Sequence, residues 1–208
     1  MNGKPVRSAN AGMRTALAEH GQNPMAVVLG CADSRCPVEA IVDAQPGEVF
    51  VLRSAGNACP GGEDSIVGSA EFAVGALGTR LVVVMGHTKC GAIKGASQLV
   101  VGAGGGTKQP TLEQRSALDQ YLCALTPPAK EALESLGGEA SMEDVTAKAV
   151  YTNVFHTIRS LLKHSAVLRN SARTGGVELH GAVYDIKTGQ VEFLGQHPDL
   201  EVLLSAGA

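Results

Sequence analysis

Cys31-Ala-Asp-Ser-Arg35 sets a thiol, a carboxylate, a hydroxyl and a guanidinium on one turn, directly after the apolar run Ala26-Val-Val-Leu29 and Gly30. One other stretch is as dense in chemistry, His87-Thr-Lys-Cys90, and it too follows an apolar run, Leu81-Val-Val-Val-Met85. Taken singly, Cys31 and Cys90 read as small buried hydrophobes and His87 as a satisfied core histidine. Taken together at matched strand ends, two thiols and an imidazole are a zinc set, with Zn–S near ~2.3 Å and Zn–N near ~2.0 Å. No fourth cysteine or histidine accompanies them. Structural zinc sites close with four protein ligands, so three favour a site with an open position. Asp33 adds a proton acceptor and Arg35 a cation to hold it. The simpler reading of that pair is an exposed ion pair at the helix beginning at Pro37.

Such a site needs a scaffold that brings two strand ends together. Ala26–Leu29 and Leu81–Met85 are apolar on both faces, as buried parallel strands are, and Glu48–Arg53 reads as a further strand. Helices are expected over Met13–Glu19, Pro37–Asp43, Glu63–Leu77 and Cys90–Val101. Two more, Thr111–Leu125 and Ala129–Leu136, are separated by Pro127-Pro128. The capping box Ser141-Met-Glu-Asp144 opens a long helix running to about Arg169. Ser54–Gly62 is too irregular for an element, Gly102–Gly106 is a flexible glycine loop, and Val177–Ile186, Lys187–Gly189 and Gln190–Leu194 read as strand, turn, strand.

Strand–helix alternation over 26–101 makes this an α/β fold: a mostly parallel central sheet flanked by helices, with an antiparallel edge strand near the C-terminus. In open parallel sheets ligands bind outside the carboxyl ends of the strands, where Cys31 and His87 fall. The 208 residues are expected to form one domain: 1–24 a partial N-terminal arm, 25–101 the metal-binding core, and 102–208 the helices and terminal hairpin.

Composition narrows the partners. A net charge of −3 offers no electrostatic footprint for nucleic acid, and 3% aromatics without tryptophan offer no base-stacking platform. No apolar run approaches the ~18 residues that span a bilayer. Five cysteines, an odd number, without a secretory signal point to reduced thiols in an intracellular, soluble protein. Cys36, Cys59 and Cys123 read as small core residues, Lys89 and Lys94 as solvated, Arg53 and Asn57 as loop stitching, and Ser34 has no chemical role.

Cys31-Ala-Asp-Ser-Arg35, Gln45-Pro-Gly47, Arg53-Ser-Ala-Gly-Asn57 and His87-Thr-Lys-Cys-Gly91 together resemble the successive motifs of the β-class carbonic anhydrases, in order and at matching intervals. Weaker agreement through Gly68–Gly78 and Leu179–Tyr184 extends the resemblance over roughly residues 22–194. The resemblance implies one Zn2+ per chain held by Cys31, His87 and Cys90, and reversible hydration of carbon dioxide to bicarbonate by zinc-bound hydroxide. It implies a catalytic Asp33–Arg35 dyad, with Asp33 joining the metal only in a closed resting form. In the plant-like branch it further implies substrate contacts from Gln45, donating across a dimer interface, from the pocket aromatic Phe72, and from the Gly91 backbone N–H. A homodimer or higher even oligomer, or tandem units of a longer chain, follows in the same way, in the cytoplasm or a plastid stroma.

Two departures from the family pattern matter. The bicarbonate-regulated branch carries a tryptophan where this chain has Val28, so a constitutively open site is expected. Asn2–Arg7 resembles the middle of the family's N-terminal arm, as if its start were missing. Two alternatives remain open: a hydrolase of carbon disulfide or carbonyl sulfide, against which the polar Gln45 argues, and a non-catalytic zinc protein, which requires Asp33 as a permanent fourth ligand. A nucleotide-binding reading fails because neither Gly-x-Gly-x-x-Gly after a strand nor Gly-x4-Gly-Lys-Ser/Thr occurs.

Overall fold

The computed structural model describes residues 11–61, 64–102, 116–137 and 140–205. In order the chain forms α1 (Ala11–His20), β1 (Ala26–Cys31), α2 (Val38–Ile41), β2 (Val49–Ser54), a 3-10 turn (Ala55–Asn57), α3 (Asp64–Gly75), β3 (Leu81–His87) and α4 (Gly91–Gly102). It continues as α5 (Ala117–Ala124), α6 (Thr126–Ser135), α7 (Met142–His164), α8 (Ala166–Arg173), β4 (Glu178–Tyr184), β5 (Val191–Gly195) and α9 (Leu200–Ser205). The expected arm before Ala11, the helix start at Glu63, most of the Gly102–Gly106 loop and the segment 111–115 lie outside the described residues.

All six residues of β1 are buried, because this strand lies inside the sheet, whose order is β2-β1-β3-β4-β5. β1 pairs in parallel with both β2 and β3, and β3 with β4, whereas β5 runs antiparallel to β4 at the edge. The apolar runs read as two-faced strands are therefore covered on both faces, and the final hairpin is the antiparallel edge. The chain passes from β1 to β2 on one side, then crosses to β3 on the other. That reversal opens a crevice at the carboxyl ends of β1 and β3.

The larger core lies between the sheet and α7, whose Val150, Val154, Ile158 and Leu161 pack over Leu29, Val82, Val84 and Leu179. The helix approaches closely enough that a Cβ on Gly181 would stand 2.7 Å from Val154 Cγ1. A smaller cluster of Val28, Val38, Val83, Met85 and Ala182 covers the other face. Each fully buried aliphatic contributes roughly 1.5–3 kcal/mol against exposure, so this helix–sheet contact supplies much of the rigidity behind the strand ends.

Four expectations need correction. Pro127 and Pro128 do not separate helices; they occupy the first turn of α6, where a missing N–H costs nothing. The long helix ends at His164 rather than near Arg169, because Ser165 is extended (φ −117, ψ 109) and its hydroxyl accepts from Leu168 N–H to cap α8. The Ser54–Gly62 segment contains a 3-10 turn, with Gly56 at φ 74. α9, beyond the hairpin, was not anticipated.

Candidate metal centre

Cys31 closes β1 and His87 closes β3, and because these strands are neighbours the two side chains meet at the crevice. Thr88 and Lys89 then turn the chain so that Cys90, the residue before α4, faces back. The turn is fastened from β4: Thr88 N–H donates to Tyr184 O at 2.9 Å, and Ile186 N–H donates to Thr88 Oγ1 at 3.1 Å. Lys89 takes a left-handed conformation, φ 59, to complete the reversal.

The ligand atoms of Cys31, His87 and Cys90 all lie within 4.8 Å of one another, and all three residues are buried. The two sulfurs are 4.0 Å apart. Two thiolates each ~2.3 Å from one tetrahedral ion stand ~3.8 Å apart, so the spacing suits zinc. His87 Nδ1–H donates to Thr88 O at 2.9 Å, which leaves Nε2 with its lone pair. That Nε2 is buried without a hydrogen-bond partner, a condition a metal would relieve. The donor set and its orphaned nitrogen fit a zinc ion.

Backbone amides are aimed at the sulfurs. Gly56 N–H reaches Cys31 Sγ at 3.1 Å and Asp33 N–H reaches it at 3.4 Å, while the amides of Ala92 and Ile93 serve Cys90. The hydrogen bond between the two thiols splits their acidities, drawing Cys31 down and pushing Cys90 up. Burial, the largest influence on His87, pulls it down, but the Cys31 contact, the Thr88 carbonyl and Asp33 outweigh it and leave it raised.

Asp33 stands beside this cluster rather than within it, its Oδ2 3.9 Å from His87 Nε2. Arg35 grips it bidentately: Nε donates to Oδ1 at 2.9 Å and Nη2 to Oδ2 at 2.6 Å, with Arg35 N–H adding a third bond at 2.9 Å. Those bonds hold the carboxyl well below the usual carboxylate range. Arg35 Nη2 also reaches Lys89 O at 3.3 Å, tying the two motif turns together. In this arrangement both oxygens of Asp33 are engaged by the Arg35 guanidinium, and the carboxylate is not among the clustered ligand atoms.

Arg53 does more than stitch its own loop. Its Nε donates to Cys31 O at 2.8 Å and its Nη2 to Asp33 O at 2.6 Å, fixing the backbone that carries both side chains. Asn153, from α7, donates through Nδ2 to Gly56 O at 2.8 Å and so backs the amide that faces Cys31. Sequence reasoning missed Asn153, whose only signal is a buried polar residue within an apolar helix face.

Gln45 and Phe72 lie elsewhere in the chain. Gln45 precedes β2, and the six residues of that strand, ~20 Å, separate it from the Cys31 end. Phe72 is half exposed on α3, its ring 6.2 Å from that of Phe50. Gly91 is exposed at the start of α4, beside Cys90. Among the other cysteines Cys36 and Cys59 are buried as expected and burial pushes Cys36 up to about 11, but Cys123 is only half-buried. Lys89 Nζ is exposed yet pairs with Glu143 at 2.8 Å. Among the described residues no helix is long and apolar enough to cross a membrane.

The family model described as carbonic anhydrase matches residues 26–191, which takes in both motif turns. A carbonic anhydrase of Pseudomonas aeruginosa is 34% identical over 176 residues, covering 83% of this chain and 74% of that one. One from Mycolicibacterium smegmatis is 29% identical over 191 residues, covering 91% and 84%. Among solved structures, a tetrameric β-carbonic anhydrase of Sordaria macrospora superposes with a TM-score of 0.74 at 28% identity, covering 89% of this chain and 87% of that one. The Coccomyxa β-carbonic anhydrase in complex with acetazolamide gives 0.73 at 25%, covering 88% and 78%. With the crevice, the Cys31–His87–Cys90 cluster and these likenesses together, the chain belongs to the β-class carbonic anhydrase family.

Proposed function

We propose that Cys31, His87 and Cys90 hold the zinc ion of an enzyme that interconverts carbon dioxide and bicarbonate, with Asp33 and Arg35 as its dyad. The observation that carries this reading is the buried, unpartnered His87 Nε2 facing two thiols, next to a carboxylate that Arg35 keeps apart. When bound there, zinc supplies a Lewis acid that makes water a competent nucleophile near neutral pH.

The chain's own residues supply orientation. Asp33, ionised throughout the neutral range, accepts a hydrogen bond from the attacking water and turns its lone pair toward carbon. Arg35 prevents that carboxylate from occupying the open position, which supports a constitutively open site. Arg53 holds the Cys31 and Asp33 carbonyls so that ligand and acceptor keep their separation. In this reading the Gly91 N–H, at the start of α4, donates to a substrate oxygen.

Gln45 and Phe72, at the far end of β2 within one chain, serve the site of a second copy in this reading. Support comes from the edge strand β2, which among the described residues pairs only with β1, the exposed Phe72 and Val42 beside it, and α1, which buries no residue of its own. An even oligomer, a dimer or pairs of dimers, follows. The division into an arm, a metal-binding core and a helical remainder belongs to the same proposal. Thiol ligands kept reduced suit an intracellular compartment. The test is Asp33→Ala: zinc is retained at one per chain while most carbon dioxide hydration is lost. Full activity in that variant contradicts the dyad.

A further inference from the structure

A second face of α7, the loop Ala58–Gly61 and the start of α6 line an open cleft of about 360 Å3. Small-ligand pockets begin at roughly 300 Å3. His156, Ser160, Lys163 and His164 recur at helical spacing and line it as one stripe, with Arg159 on the flank. The opposite wall is apolar, built from Leu125, Pro127 and Pro128. Among the described residues no aspartate or glutamate lines it.

Two acids outside the lining pair with lining residues. Glu131 Oε2 is 2.6 Å from His156 Nε2, and Arg159 Nη2 lies 3.4 Å from His197 Nε2 and 3.9 Å from Asp199 Oδ2, leaving its Nε and Nη1 for a ligand. Among the described residues no ion pair engages Lys163. His164 Nδ1 faces Ser160 O at 2.9 Å, so its Nε2 is turned away from the helix backbone. The pocket is also distinct from the metal centre. Asn153 Nδ2 holds Gly56 O from the pocket side, while Gly56 N–H faces Cys31 Sγ from the other, so the 56–61 loop is the partition between them.

We infer that this pocket binds a small phosphomonoester, its dianionic head between Arg159 and Lys163 and its organic body against Leu125 and the two prolines. A guanidinium and an ammonium on one rim match two phosphate charges, and the forked guanidinium favours oxyanions with two free oxygens. The apolar wall gives an organic body a place that inorganic phosphate leaves unfilled. This site is independent of carbon dioxide chemistry and stands or falls separately from it.

Isothermal titration calorimetry of the zinc-loaded full chain, with phenyl phosphate and inorganic phosphate as probes, tests it. Phenyl phosphate should bind saturably and more tightly than inorganic phosphate. The Arg159→Gln/Lys163→Gln double variant should weaken it about 100-fold, the loss expected for two charged hydrogen bonds at the low end. Zinc content and carbon dioxide hydration without phosphate should be unchanged in that variant. Hydrogen exchange of wild type should show protection over 156–164 with phenyl phosphate, a readout that does not depend on the variant folding. No saturable binding, binding insensitive to the double substitution, protection confined to the Cys31 and His87 turns, or equal affinity for the two probes overturns the inference.

Discussion

Arg53→Ala removes no metal ligand and no group that touches substrate, yet it should damage the centre. The wild-type guanidinium donates to two backbone carbonyls, Cys31 O at 2.8 Å and Asp33 O at 2.6 Å. A hydrogen bond to a charged group is worth about 1.5–3 kcal/mol. Arg53 is exposed, so water can take over both carbonyls in the variant and the low end applies. The two bonds together then contribute about 2–3 kcal/mol, which for a domain of this size corresponds to about 4–12 °C in Tm. The loop they hold carries both a ligand and the proton acceptor. Zinc affinity should therefore fall about 10–100-fold, as it does when outer-shell partners of metal ligands are lost. Calorimetric unfolding of the zinc-loaded chain and a chelator competition measure the two effects. Arg53→Lys should recover only part of each, since one ammonium cannot reproduce the fork across two carbonyls. Wild-type Tm together with wild-type zinc affinity in Arg53→Ala would show that the Cys31–Asp33 turn holds its shape unaided, and would refute the positioning role.

Arg35→Ala should keep zinc but lower carbon dioxide hydration about 10²-fold, because the released Asp33 carboxylate, now 3.9 Å from His87 Nε2, can swing away or onto the metal; stopped-flow hydration at matched zinc content decides. Zinc binding should release a proton, since Cys90 is pushed up in the metal-free site and must shed its proton to ligate. Affinity then falls as pH drops, and titrations in buffers of differing ionisation enthalpy at pH 7 should show about one proton or more released; none would contradict the ligand set. Gly56→Ala should cost about 1–2 kcal/mol from its left-handed φ of 74 alone, and more where the new Cβ meets Ala92 Cβ at 3.3 Å, read as a lowered denaturation midpoint. Asn153→Ala leaves the Gly56 carbonyl unpaired in the core and should cost about 1–3 kcal/mol by the same measurement.

The metal cluster was legible because buried parallel strands write themselves as continuous apolar runs, and ligands cluster where such runs stop. Ala26–Leu29 and Leu81–Met85 told where β1 and β3 end, and Cys31 and His87 follow at once. What pairing puts side by side was less visible: that β1 touches both β2 and β3, making the crevice, is a matter of topology and not of any local pattern. Helix boundaries failed where a residue has two uses. Pro127-Pro128 serves as a breaker in the middle of a helix and as a good first turn at its start, and only tertiary packing chooses. Ser165 ends one helix and caps the next without a glycine or proline to mark it. Arg53 and Asn153 act on backbone carbonyls far along the chain, 22 and 97 residues away, so no spacing rule could have named their partners.

Stopped-flow carbon dioxide hydration on the chain carrying one zinc, beside Cys90→Ser and His87→Ala, tests the central claim most directly. The account predicts catalysis by the zinc-loaded wild type, rising with pH, and loss of both tight zinc binding and catalysis in each variant. A fully zinc-loaded wild type that does not hydrate carbon dioxide at alkaline pH, or a variant that keeps both zinc and wild-type turnover, would contradict it.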